Sequence, residues 1–105
     1  LLARAFYNLL HNSITHNEQG CLITVSASLQ AECVSVVIAD NGSGVPDRVL
    51  KNLDTLPNTA HGFGLPMACK IIRAHGGTFR AENRDGFVVT MELPVSELKK
   101  WLYTE

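Results

Sequence analysis

The strand-forming segments of this 105-residue chain come in two adjacent pairs. In the first pair, residues 23–29 and 34–38 alternate between two faces, and the short link between them favours an antiparallel hairpin. The second pair, residues 78–84 and 87–94, is predicted to turn at Asp85-Gly86. Because strands and helices do not alternate one by one, this order disfavours a doubly wound parallel sheet.

Apolar residues at helical spacing predict long helices over residues 1–16 and 65–75, and shorter ones over 46–53 and 96–103. Ser96 is the expected N-cap of the last helix. The apolar stripe of the first helix consists of Leu2, Phe6, Leu9, Leu10 and Ser13, and the opposite side carries Asn8, Asn12 and Thr15. We therefore predict an α+β fold, in which a mostly antiparallel sheet is covered on one face by helices.

Length and composition suit one globular domain spanning residues 1–105. Nine Lys and Arg residues nearly balance ten Asp and Glu residues, which argues against nucleic acid as a partner. No apolar run approaches the roughly 20 residues of a membrane span. Cys21, Cys33 and Cys69 form no CxxC pair, and we interpret them as small buried residues in a reducing cytosol.

The first candidate motif is a pair of asparagines in the first helix. Asn8 and Asn12 are four residues apart, so they share a helix face one turn apart. An amide oxygen is a suitable ligand for Mg²⁺, a hard cation that prefers oxygen. Taken alone, the pair is also consistent with two solvated asparagines.

The second candidate motif is Asp40-Asn41-Gly42-Ser43-Gly44. Asp40 shares strand parity with Val36 and Ile38, so its carboxylate should leave the strand on the side that faces the core. A carboxylate there requires a hydrogen-bond donor, and the amino group of adenine is one candidate. The glycines allow close approach of the backbone to a planar ligand. An ordinary Asp-Asn-Gly turn is the alternative interpretation.

The third candidate motif is His61-Gly62-Phe63-Gly64-Leu65-Pro66, which leads into the second long helix. Free N–H groups at the start of a helix, together with the helix dipole, favour phosphate. Alone this signal is weak, because many helices begin after glycine.

All three motifs occur in this order in one short chain, which resembles the ATP-binding domain of sensor histidine kinases. Residues 8–16 match the N box of that family, DNGSGVP its first glycine box, and HGFGLPMACKIIRAHGG its second glycine box and the following helix. The resemblance implies an α/β sandwich with the Bergerat fold of the GHKL superfamily, which also includes gyrase, the Hsp90 chaperone and MutL.

The resemblance also implies a site. ATP would lie between the helices under a lid over residues 54–64, with Mg²⁺ on Asn12, a second catalytic polar residue at Asn8 and adenine on Asp40. The implied nucleotide-binding positions are Asn12, Thr15, His16, Asp40, Gly42, Gly44, Gly62, Phe63, Gly64 and Leu65. Two positions depart from the family pattern: Thr15 replaces a frequent Lys or Arg, and Pro66 replaces a further glycine.

The function implied is a protein-histidine kinase that transfers the γ-phosphate of Mg-ATP to a histidine on a separate dimerisation domain of the same protein. A response regulator would act downstream. The parent would be a homodimer, with this chain as a cytoplasmic module of a membrane-anchored protein. The alternatives are an ATPase of the gyrase or chaperone kind, an anti-sigma serine kinase, and a degenerate nucleotide-binding module. An ATPase would carry Glu where this chain has Asn8.

Overall fold

The computed structural model describes residues 1–17, 19–53 and 64–104, and the side chains as far as residue 100. The helices and strands in chain order are α1 (Leu2–Thr15), β1 (Ile23–Gln30), β2 (Cys33–Asp40), α2 (Asp47–Lys51), α3 (Leu65–Ala74), β3 (Thr78–Asn83), β4 (Phe87–Pro94) and α4 (Val95–Thr104). Each element predicted from the sequence is present. The predicted lid falls outside the described residues except for Gly64.

The four strands form one sheet in the order β1-β2-β4-β3, and all three pairings are antiparallel. The register aligns Val25 of β1, Ile38 of β2 and Val89 of β4 in one row. The two central strands thus come from different hairpins, and the predicted α+β class is confirmed.

The core lies between this sheet and helices α1 and α3, which contact each other as well as the strands. Its fully buried side chains include Leu9, Leu65, Ile72, Met91 and Leu93. On β1 the apolar residues face the same side, but only Ile23 is partly buried against the core, whereas Val25 and Leu29 are 58% and 70% exposed. Helix α1 contacts β2, α3 contacts β3 and α4 contacts β4, whereas β1 lies at the edge of the sheet and is mostly exposed.

The buried face of α1 differs from the predicted stripe. It consists of Leu2, Ala5, Leu9, Asn12 and Ser13, whereas Phe6 and Leu10 are only partly buried. Asn12 therefore does not lie on a solvent-facing side opposite the stripe. The reason is tertiary: α3 packs beside α1, so burial extends around the helix towards the asparagines.

Three smaller details concern the ends of elements. Helix α4 begins at Val95, so Ser96 lies inside the first turn instead of at the N-cap. Cys33 is exposed, contrary to the prediction that the cysteines are buried, because it begins β2 directly after the turn of the first hairpin. His75 follows α3 as its C-cap, and its Nδ1 lies 2.9 Å from Oε1 of Glu97 on α4.

None of the described helices is long and apolar enough to cross a bilayer.

Candidate functional site

Asn12 lies in the middle of the site, on the last turn of α1. Its relative exposure is 3%, and its Oδ1 atom has no hydrogen-bond partner among the described residues. A buried acceptor without a partner costs about 1–3 kcal/mol, so such atoms are rare in folded proteins. A neutral amide oxygen in this state fits a hard cation, because the cation would supply the missing partner.

Asp40 ends β2 with its side chain directed into the protein, as its strand parity predicted. The residue is 7% exposed, and its carboxylate accepts three hydrogen bonds. Ser13 Oγ donates to Oδ2 at 2.6 Å, and the N–H groups of Gly42 and Phe87 donate to Oδ1 at 2.9 and 3.2 Å. These donors come from α1, the following loop and β4, so three separate segments orient one carboxylate.

The loop after Asp40 is attached to α1 through Asn17. The Asn17 side chain donates to the Ser13 carbonyl at 2.7 Å and accepts from the Ser43 N–H at 3.3 Å. Gly42 lies so close to this amide that a Cβ atom there would overlap it. Close approach of a protein side chain therefore accounts for glycine at this position.

Two further asparagines hold the same loop. Asn41 Oδ1 accepts from the Leu22 N–H at 2.7 Å, which ties the loop to the start of β1. Asn83 at the end of β3 pairs with both backbone groups of Val45, at 3.0 Å to the N–H and 2.8 Å to the carbonyl. Side-chain hydrogen bonds to other segments thus hold the first glycine loop in place, which distinguishes it from a simple turn.

The third motif meets the first at Gly64. This glycine is the N-cap of α3, and a Cβ atom added to it would lie 3.5 Å from Cβ of Asn8. Leu65 is fully buried in the core. Pro66 occupies the first turn of α3 and has no N–H to offer. Gly62 and Phe63 lie outside the described residues.

Thr15 and His16 at the end of α1 are exposed. The Thr15 hydroxyl donates to the His11 carbonyl at 2.8 Å, which directs it back along the helix. His16 is the C-cap residue of α1. An open cavity of about 510 Å³ adjoins these two residues, and its lining consists of Thr15, His16, Asn17, Gln19, Gly20, Gly42 and Ser43. The end of α1 and the first glycine loop thus border a common space.

The structure adds Ser13, Asn17 and Asn83 to the residues that were singled out in the sequence. Ser13 had a detectable signal, because a hydroxyl on a core-facing stripe requires a partner. The other two did not, since Asn17 and Asn83 bond to groups 26 and 38 residues away.

Comparisons with known proteins identify the family of the chain. Residues 1–97 match the family described as histidine kinase-, DNA gyrase B- and HSP90-like ATPase. The chain belongs to this family. Within it, the chain is 32% identical over 103 residues to the sensor protein VanS of Enterococcus faecium, which covers 89% of the chain and 27% of VanS. The resemblance to sensor histidine kinases is confirmed.

Solved structures of this family show the same fold. The catalytic domain of histidine kinase ThkA superposes with a TM-score of 0.73 at 29% identity, over 87% of this chain and 63% of that one. A second structure, of ThkA in complex with the response regulator protein TrrA, has a TM-score of 0.70 at 25% identity, over 91% of this chain and 29% of that one. The chain spans about a quarter of the length of VanS.

Proposed function

We propose that this chain is the catalytic domain of a protein-histidine kinase, which binds Mg-ATP and transfers the γ-phosphate to a histidine on a separate dimerisation domain. The chain's family is described as ATPase, and its relatives include sensor proteins and histidine kinases. The single observation that carries the proposal is the buried Oδ1 of Asn12, which has no hydrogen-bond partner among the described residues. Asn12 is the neighbour of Ser13, whose hydroxyl orients Asp40.

In this proposal the two polar centres have different tasks. Asp40 would accept a hydrogen bond from the exocyclic amine of adenine, because Oδ2 receives one donor from the described residues and retains acceptor capacity. Asn12 would hold Mg²⁺ through Oδ1. The metal would neutralise charge on the phosphates, and the protein's contribution to transfer would be positioning.

Calorimetry with the isolated chain tests the proposal. Mg-ATP should bind, and removal of Mg²⁺ with EDTA should weaken ATP binding. Asn12→Ala should lower Mg-ATP affinity by at least about tenfold, the lower bound for loss of a group that supports a bound metal. His11→Ala changes an exposed residue of the same helix and serves as the control.

Two results would contradict the assignments separately. Unchanged Mg-ATP affinity in Asn12→Ala, with a normal melting curve, removes the metal role of that residue. Equal binding of ATP and GTP by the wild type removes the adenine role of Asp40, because guanine presents a carbonyl where adenine has its amine.

The residue one turn before Asn12 favours kinase over ATPase. Asn8 is a neutral amide packed beside Gly64, and it cannot take a proton from water as a carboxylate would. ATP hydrolysis by the isolated chain should therefore be slow compared with transfer to a supplied dimerisation domain. Hydrolysis at the faster rate would favour the ATPase alternative.

A nucleotide-binding module without transfer activity is the second candidate, and two observations favour it. The Thr15 hydroxyl is bonded to the His11 carbonyl, and Pro66 removes an N–H from the first turn of α3. Both features reduce the number of hydrogen-bond donors that are available to phosphate. Mg-ATP binding without labelling of a dimerisation domain supplied in trans would identify this candidate.

A relative supports one further partner. A histidine kinase of this fold, ThkA, forms a complex with a response regulator, so we propose a response regulator downstream of this chain. The dimerisation domain would carry the phosphoacceptor histidine, and the full-length parent would be a homodimer anchored in the membrane with this domain in the cytoplasm.

A further inference from the structure

Asn83, the last residue of β3, forms a two-point pair with the backbone of Val45. Its Nδ2 donates to the Val45 carbonyl at 2.8 Å, and its Oδ1 accepts from the Val45 N–H at 3.0 Å. A side-chain amide can satisfy both groups because it carries a donor and an acceptor on one plane. The pair joins segments 38 residues apart in sequence.

The absence of a side chain at Gly44 leaves room for the Asn83 amide. Gly44 has φ +80°, and a Cβ atom on it would lie 2.5 Å from Oδ1 of Asn83. An L-residue there would meet both backbone strain and a steric overlap. The contact with Asn83 therefore gives Gly44 a role in addition to the nucleotide approach expected from the sequence.

The same hairpin also reaches the beginning of the loop. The Phe87 N–H donates to Asp40 Oδ1 at 3.2 Å, and Gly86 packs against the Asp40 carbonyl. Segment 40–45 is therefore held at both ends by the β3–β4 hairpin. Val45 itself is 7% exposed, so its N–H and carbonyl would be costly to leave unpaired.

We propose that Asn83 is a positioning residue for nucleotide binding, which acts through Val45 to keep segment 40–45 in the shape that presents Asp40. This inference rests on the proposed function, since it concerns the same nucleotide. Without the Asn83 amide, the loop must either leave two buried backbone groups unpaired or move to satisfy them. Movement displaces the residues between Asp40 and Val45, and nucleotide affinity falls.

The first experiment tests the hydrogen-bonded pair of Asn83 and Val45 without nucleotide. Amide hydrogen exchange by NMR should show a protected Val45 N–H in the wild type, and in Asn83→Ala its exchange should accelerate by about tenfold, the loss expected for one hydrogen bond. Equal protection of Val45 in both proteins would overturn the proposal. This measurement remains valid even if the chain does not bind ATP.

The second experiment measures Mg-ATP binding by calorimetry, which separates affinity from the amount of folded protein. Asn83→Ala and the isosteric Asn83→Asp should each raise the Kd by about tenfold with the binding stoichiometry unchanged. The aspartate keeps an acceptor for the Val45 N–H but places no donor on the Val45 carbonyl. Agreement between a neutral and a charged variant excludes a simple charge effect.

Arg84→Ala is the matched control, because Arg84 is the exposed neighbour of Asn83 and its side chain pairs with Glu82. Its Kd should stay within about twofold of the wild type. A normal Kd with reduced stoichiometry in the Asn83 variants would show a merely structural role and overturn the proposal. A wild type that binds no Mg-ATP would instead refute the proposed function.

Discussion

Replacement of Asn12 by leucine should make the domain more stable while it removes nucleotide binding. The Oδ1 atom of Asn12 is buried with no partner among the described residues. In the protein without ligand, this atom has lost its hydration and gained nothing in return. Leucine has a similar branched shape and no polar atom, so the unfavourable term disappears.

The size of the expected stability gain follows from the burial of Asn12 Oδ1. Removal of an unsatisfied buried acceptor is worth about 1–3 kcal/mol, and the larger volume of leucine offsets part of this gain. We expect the free energy of unfolding to rise by about 1–2 kcal/mol. For a domain of this size each kcal/mol raises Tm by about 4–8 °C, so the variant should melt at least about 4 °C higher.

Thermal melts followed by circular dichroism, without nucleotide and metal, measure this change. Asn8→Leu is the control, because Asn8 lies on the same helix, is only partly buried and has no buried side-chain atom that lacks a hydrogen-bond partner. Its free energy of unfolding should change by less than about 0.5 kcal/mol. A lower Tm for Asn12→Leu than for the wild type would refute the reasoning, because it would show that removal of the buried acceptor does not outweigh the larger volume of leucine.

Two further predictions concern side chains around the site. Ser13→Ala should lower the free energy of unfolding by about 1.5–3 kcal/mol, because it removes a buried hydrogen bond to the Asp40 carboxylate. The control Ser26→Ala, on exposed β1, should have little effect. Equal melting temperatures for the two variants would contradict this prediction. Glu97→Gln tests the contact of α4: hydrogen bonds from Lys100 and then His75 lower the pKa of Glu97 from its ordinary value of 4.5. A lowered folded-state pKa stabilises the fold above the unfolded value, and this contribution is lost as pH falls through the folded value. The Tm difference between wild type and Glu97→Gln should therefore be present at neutral pH and shrink below 4.5; a difference that persists well below that pH would show another cause.

Much of the fold could be predicted because its signals are local. Alternating residues define a strand and a stripe at helical spacing defines a helix, so the eight described elements were all expected from the sequence. The core-facing direction of Asp40 also followed from strand parity, and its burial confirms it. The metal role of Asn12 and the adenine role of Asp40 stay predictions, because they concern ligands.

The burial of Asn12 could not be predicted, since periodicity along α1 describes one helix in isolation. The position of α3 beside α1 decides it. The exposure of Val25 and Leu29 is also a tertiary result, because alternation assigns them to one face of β1 but does not show whether other elements cover that face.

The sequence by itself determined the order of elements, the antiparallel hairpins and the three motifs, because each depends on residues that are neighbours along the chain. Only the tertiary structure decided how those motifs are held. Ser13 bonds to Asp40, Asn17 to Ser43 and Asn83 to Val45 across 26–38 residues. Such pairs leave no periodic signal, since packing of the sheet against its helices, and not local propensity, sets the distance between their atoms.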